Sequence, residues 1–186
     1  MPLFNLFRKG QYINYLGVAI LLLSLSILST PASSQIGTFQ PQYQPEFASD
    51  TWFTDMSARM ARFIKSPEKR REILKRVRQE AERVRLKPGL ILAIIHTESS
   101  FNRFAVSSAG AQGLMQVMPF WKQEIGQPDD NLIRIGTNLR YGCTILRHYL
   151  SIEKGNLTRA LARYNGSLGK RHYPEKVYTN WETYWQ

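Results

Sequence analysis

Apolar residues recur every three or four positions along most of residues 51–186, which is the spacing of one face of an α-helix. Between Ser66 and Leu86, for example, Ile73, Val77 and Val84 belong to an apolar stripe on an otherwise charged segment. Runs with the alternation typical of a β-strand are scarce. We therefore predict a mainly α-helical domain with helices at 51–64, 67–86, 88–99, 116–124, 131–153, 157–164 and 173–184.

The most apolar of these predicted helices carries a carboxylate near its end. Residues 90–95 are all apolar and follow Lys87-Pro88-Gly89, a favourable helix start, and Glu98 stands close to the C-terminus. Burial and the negative end of the helix dipole both disfavour a charged carboxylate, so each raises its pKa. A carboxyl group with a raised pKa holds a proton near neutral pH and can donate it. Glu98 is thus a candidate general acid, the alternative being a surface residue that merely ends a helix.

The N-terminal part of the chain differs in composition from the rest. Two basic residues precede an apolar stretch at 15–28, and small residues follow it. This order is typical of a secretory signal, so we predict a signal peptide at 1–34, with an uncleaved N-terminal anchor as the alternative. Residues 35–50 are rich in Gln, Pro and Ser and predict a flexible spacer ahead of the domain at 51–186.

Metal and cofactor chemistry find little support in the sequence. His96, His148 and His172 are isolated from one another and from any zinc-binding spacing, so we predict no metal site and no cofactor. Cys143 is the single cysteine and occupies an apolar position of its helix, which favours a core role. The formal net charge of +11 attracts polyanions, but the chain lacks a phosphate-binding glycine loop, and an exported protein does not meet DNA first. We therefore predict no nucleic-acid partner.

Ordered sequence blocks following Glu98 resemble the soluble lytic transglycosylases, the lysozyme-like enzymes that cleave peptidoglycan. The blocks are ESSFN at 98–102, AVS at 105–107, GAQGLMQVMP at 110–119, NLRYG at 138–142 and ARYNG at 162–166. The first three segments form one unit, so the chain has three ordered blocks within about ninety residues. Their order and spacing agree over residues 87 to 178, which makes a specific signal. The resemblance implies a lysozyme-like helical fold, of the goose-type lysozyme and SLT class, with a substrate cleft.

The resemblance also implies roles for particular residues. Glu98 would protonate the glycosidic oxygen between N-acetylmuramic acid and N-acetylglucosamine, then act as base on the muramoyl C6 hydroxyl, so that a 1,6-anhydro ring forms without water. Tyr164 falls where a tyrosine hydroxyl approaches the acid or a ring faces a sugar. The residues expected to bind substrate are Ser107, Gln116, Met118, Tyr164 and Asn165.

The chain departs from the family pattern at a few positions. Arg103 stands where the family usually has Pro, which adds a cation near the cleft, and Trp121 either stacks on a sugar or packs within a helix. Glu124, Asp129 and Asp130 are the next acidic residues after Glu98 and suit a loop and helix-capping role. The alternatives that stay open are a muramidase that hydrolyses the same bond and a non-catalytic protein that binds the wall.

The predicted partner is the glycan strand of peptidoglycan, and the predicted location is the periplasm or cell envelope. A membrane is involved only through the N-terminal segment, if this is not cleaved. A secretion, conjugation or flagellar machine would contact the spacer or the basic helix at 67–86, an expectation that depends on charge alone.

Overall fold

Seven α-helices and a short C-terminal π-helix make up the part of the chain that the structure describes. The computed structural model describes residues 45–186, with side chains from residue 51 onwards. The predicted signal peptide at 1–34 and the spacer as far as residue 44 lie outside the described residues. The helices are α1 (Pro45–Met60), α2 (Pro67–Val84), α3 (Pro88–Ser99), α4 (Trp121–Ile125), α5 (Ile135–Ile152), α6 (Leu157–Tyr164), α7 (His172–Asn180) and the π-helix (Trp181–Trp185).

Local sequence signals account for several helix ends. Ser66 precedes α2, and its hydroxyl group accepts a hydrogen bond from the backbone N–H of Lys69, while Pro67 occupies the first turn, where no N–H donor is required. Asn156 caps α6 in the same way through the N–H of Arg159. The predicted bounds of α3 and α6 are confirmed, because each of these helices has a clear start signal and a sharp end.

Five of the seven predicted helices differ from the observed ones at one or both ends, among them 67–86, which ends at Val84, and 173–184, which divides into α7 and the π-helix. The first helix begins at Pro45, inside the predicted spacer. The helix predicted from residue 116 begins only at Trp121, because Gln116 has a left-handed backbone (φ 46°) and Val117 pairs with Gln112 in an isolated β-bridge. The helix predicted from 131 begins at Ile135, after turns at 131–134.

Helix α3 lies at the centre of the core. All six side chains of residues 90–95 are buried. Helix α3 contacts α2, α7 and the π-helix, whereas α5 packs against α2 on one side and α6 on the other. A helix that is apolar all round requires such complete coverage. Glu98 therefore lies where α3 leaves the core and meets the surface.

The predicted mainly α class is confirmed over residues 45–186, where β-pairing is limited to isolated bridges. Among the described helices, none combines the length and apolar character needed to span a bilayer. Cys143 is fully buried, as expected for a core residue.

Candidate active site

Glu98 sits in the last turn of α3 in an environment that disfavours its charge. Its side chain is half-buried, and burial raises its pKa from 4.5 to about 7. A hydrogen bond from Tyr173 and the positive charge of Lys176 act in the opposite direction, but they are weaker than the effect of burial. The carboxyl group is therefore divided between protonated and charged forms near neutral pH, as a general acid requires.

The hydroxyl group that reaches Glu98 belongs to Tyr173, a residue that the sequence analysis did not single out. Tyr173 lies in the first turn of α7, is 5% exposed, and donates a hydrogen bond of 2.6 Å to Oε1 of Glu98. The two residues are 75 positions apart in the chain, so helical spacing carried no signal of their contact. The packing of α7 on α3 brings them together.

Tyr164 hydrogen-bonds the backbone next to the site, and its predicted role at the acid or at a sugar stays a prediction. Its hydroxyl donates to the backbone carbonyl of Met115 at 2.7 Å, and the pKa of Tyr164 is raised well above its usual value by burial and by the charge of nearby Glu98. Tyr164 thus lies beside the acid and holds the adjoining loop, while Tyr173 makes the direct bond.

The loop between α3 and α4 is fastened to the helices by side chains. Ser99 donates to the carbonyl of Leu114 at 2.8 Å. Asn138, which is fully buried on α5, accepts from the N–H of Met115 at 2.8 Å and donates to the carbonyls of Gln112 at 2.8 Å and Leu132 at 2.9 Å. Because buried backbone groups need partners, these bonds fix the shape of the loop beside Glu98.

Gly113 permits the close approach of this loop to α5. It has a φ of +76°, and a Cβ atom added there would lie only 2.5 Å from Nδ2 of Asn138. Only glycine meets both conditions without displacing the backbone. The GLMQ sequence block therefore has a structural basis in the contact between Gly113 and Asn138.

Three of the predicted substrate-binding residues, Ser107, Gln116 and Met118, lie on the loop between α3 and α4. Among the described residues, the side-chain hydrogen bond to Glu98 comes from Tyr173 and not from the predicted set. Ser107 is exposed and accepts from the N–H of Ala111 at 3.0 Å, which leaves its hydroxyl hydrogen for a ligand. Gln116 donates its amide to the carbonyls of Ala105 and Gly113.

Met118 and Asn165 complete the predicted set. Met118 is half-buried after the bridge residue Val117, and Asn165 is exposed at the C-terminal cap of α6. Their binding roles stay predictions. Trp121 is partly buried against the core with its ring edge towards Tyr149, at 6.1 Å between centroids, which favours the packing interpretation.

No second carboxylate among the described residues contributes to the pKa shift of Glu98. Lys176 is the one charged side chain among them that shifts the pKa of Glu98. Asp130 accepts hydrogen bonds from the hydroxyl of Tyr141 and the N–H of Gln127, which lower its pKa and give it a structural role in the loop, as the sequence suggested. The site thus contains a single carboxyl group that can exchange protons near neutral pH.

Comparison with known proteins identifies similarities over the same region. Residues 75–183 match the family model described as the transglycosylase SLT domain. The chain is 37% identical over 109 residues to membrane-bound lytic murein transglycosylase C of Yersinia enterocolitica, which covers 50% of this chain and 30% of that protein. It is 33% identical over 102 residues to the transglycosylase of Enterobacteria phage PRD1, covering 51% of this chain and 37% of that one. The chain therefore spans about a third of the length of these curated relatives.

The chain is also similar to parts of solved structures. An inactive mutant of lytic transglycosylase Slt from Pseudomonas aeruginosa matches with 31% identity, a TM-score of 0.45, and coverage of 56% of this chain and 20% of that one. A complex of the 70-kDa soluble lytic transglycosylase with bulgecin A matches with 22% identity, a TM-score of 0.46, and coverage of 73% and 24%.

Proposed function

Because the chain belongs to the transglycosylase SLT domain family, whose model matches more than half of its residues, we propose that it is a peptidoglycan lytic transglycosylase with Glu98 as its acid and base. The observation that carries the proposal is the state of Glu98. Glu98 is a half-buried carboxyl group with a pKa of about 7, and it accepts a hydrogen bond from Tyr173. No second carboxylate among the described residues contributes to its pKa shift.

In the first step, protonated Glu98 donates its proton to the oxygen that links N-acetylmuramic acid to N-acetylglucosamine. A pKa of about 7 keeps roughly half of the molecules in the protonated form at neutral pH. Glycosidases of the lysozyme type stabilise the resulting oxocarbenium ion with a second carboxylate. Since this site lacks one in its described part, the acetamido group of the substrate is the proposed source of that stabilisation.

In the second step, the same carboxylate removes the proton from the muramoyl C6 hydroxyl. The oxygen attacks C1 and the 1,6-anhydro ring closes. The proton that Glu98 gave up leaves on the released N-acetylglucosamine, and the C6 hydroxyl proton protonates Glu98 again, so the cycle balances without water. One group serves in both steps because its pKa lies near the working pH. Tyr173 assists by holding Oε1 of Glu98 at 2.6 Å, which fixes the direction of the carboxyl group.

The loop residues provide the groups that suit a sugar chain. The hydroxyl of Ser107 and the carbonyl of Gln116 offer hydrogen bonds to acetamido and hydroxyl groups, while Met118 and the ring of Tyr164 offer apolar contact to the sugar faces. Asn165 at the exposed end of α6 completes the proposed cleft. The glycan strand of peptidoglycan is the proposed substrate, and the cell envelope is the proposed location.

The test is the chemistry of the released products. Purified peptidoglycan is incubated with the full-length protein and with Glu98→Gln, and the soluble muropeptides are identified by mass spectrometry. We expect 1,6-anhydro ends from the wild type and none from the variant. Reducing ends from the wild type would instead establish a muramidase, and wall binding without release by either protein would establish a non-catalytic binding module.

A further inference from the structure

A cleft of the described region lies away from the residues of the candidate active site. It has a volume of about 620 Å³ and lies between α2, the first turn of α5 and the loop that carries Arg103. Neither Glu98 nor any of the predicted substrate-binding residues lines it. We call it the α2–α5 cleft. Its volume falls within the range of pockets that bind small molecules.

Four arginines line the cleft, and three of them have no ion-pair partner within residues 51–186. Arg140 pairs with Glu80, but Arg76, Arg103 and Arg134 form no salt bridge with a described carboxylate. The cleft contains no lysine, and the planar guanidinium groups suit bidentate bonds to oxyanions.

One nitrogen of the Arg103 guanidinium group lacks a hydrogen-bond partner in the part of the chain that the structure describes. Its Nε atom is buried and has no hydrogen-bond partner in the described structure, although the guanidinium lies over the ring of Phe104 at 4.7 Å. A buried donor without an acceptor is unfavourable, so the guanidinium group of Arg103 has hydrogen-bonding capacity that the described residues do not fully use.

The first turn of α5 increases the positive potential of the cleft. The N-cap residue Arg134 makes no side-chain capping bond, so the positive end of the helix faces the cleft uncapped. Arg76 lies against the same turn, since a Cβ atom added to Gly136 would be 3.7 Å from its Nε. Cations at a helix N-terminus repel its dipole unless an anion lies between them.

The carboxylates that line the cleft restrict which kind of anion can bind there. Glu80 is engaged by Arg83 and Arg140, and Asp130 by Tyr141. Glu72 is exposed and has no ion pair among the described residues. A lining with both signs of charge suits a molecule that carries carboxylates and an amino group better than it suits a phosphate dianion.

We propose that the α2–α5 cleft binds the carboxylates of a short peptide, of the class formed by the stem peptides of peptidoglycan. This inference rests on the proposed function, because that function supplies the substrate that carries such peptides. Arg103, Arg134 and the first turn of α5 hold the carboxylates, and Glu72 receives the amino group.

The test is calorimetric titration of the full-length protein with the free tripeptide L-alanyl-γ-D-glutamyl-meso-diaminopimelate. Arg103→Gln and Arg134→Gln should each weaken binding about tenfold or more, since each removes a charge-assisted hydrogen bond. Arg71→Gln removes an exposed charge of α2 outside the cleft and should bind as the wild type does. Amidation of the peptide carboxylates should weaken binding to a similar extent as Arg103→Gln. Circular dichroism verifies that the variants fold.

Several outcomes would overturn the assignment: no binding of the tripeptide to the wild type, equal affinity in Arg103→Gln and Arg71→Gln, or tighter binding of inorganic phosphate than of the tripeptide. Glu98→Gln separates this proposal from the catalytic one. It should bind the tripeptide normally while releasing no muropeptide, so failure of catalysis and failure of the cleft assignment give different results.

Discussion

Replacement of Glu98 by Gln is expected to stabilise the protein in a manner that depends on pH. Burial raises the pKa of Glu98 from 4.5 to about 7, so between these pH values the folded chain holds a proton that the unfolded chain has lost. The stability that this proton provides is complete below pH 4.5 and is lost as the pH rises through about 7. At roughly 1.4 kcal/mol for each pKa unit, the loss by pH 8 is about 3 kcal/mol, which a neutral amide avoids.

The assay is urea denaturation of the wild type and of Glu98→Gln at pH 4 and pH 8. We expect equal free energies of unfolding at pH 4 and a gain of about 3 kcal/mol for the variant at pH 8, or roughly 10 °C in Tm. Glu124→Gln, which neutralises an exposed carboxylate, should differ from the wild type by no more than about 0.5 kcal/mol at either pH. A gain of the same size at both pH values, or no gain at pH 8, would refute the reasoning.

Three further predictions concern the groups around the acid. Tyr173→Phe removes the hydrogen bond that lowers the pKa of Glu98, so the pH above which the rate of muropeptide release falls should increase. Below that pH the rate should be reduced roughly tenfold. If the pH at which the rate falls does not change, this role of Tyr173 is contradicted. Asn138→Ala leaves the N–H of Met115 and the carbonyl of Leu132 unpaired, while the carbonyl of Gln112 still accepts from the N–H of Val117. The substitution should lower the free energy of unfolding by about 3 kcal/mol or more in urea, against about 1 kcal/mol for exposed Asn131→Ala. Burial raises the pKa of the Cys143 thiol to about 12, so a disulfide reagent at pH 8 should label it no faster than the protein unfolds, and rapid labelling of the native protein would argue against a closed core.

The sequence predicted those features that depend on neighbouring residues. The bounds of α3 and α6 follow from short-range signals, and the raised pKa of Glu98 follows from its position on an apolar helix. The lysozyme-like, mainly α class is confirmed by the helical architecture together with the family match. The bounds of α3 and α6 and the environment of Glu98 each depend on one local segment, and the fold class depends on the sum of such segments.

Features that depend on distant contacts were missed. Apolar spacing alone suggested a helix from residue 116, but the left-handed backbone of Gln116 is held by its own amide bonds and by the attachment of the loop to Asn138. The bond from Tyr173 to Glu98 depends on how α7 packs on α3, which no periodicity reports. Tertiary contacts decided both cases.

The pKa of Glu98 results from a balance that these distant contacts control. Burial alone would raise it further, while Tyr173 and Lys176 lower it, and the result is about 7. In the proposed mechanism the carboxyl group must first release a proton and then accept one, so a pKa well above or well below the working pH would impair one of the two steps. Since Tyr173 opposes burial most strongly, the length of its bond to Oε1 sets how readily Glu98 ionises. The pH at which the enzyme works is therefore expected to depend on the packing of α7 as well as on the acid itself.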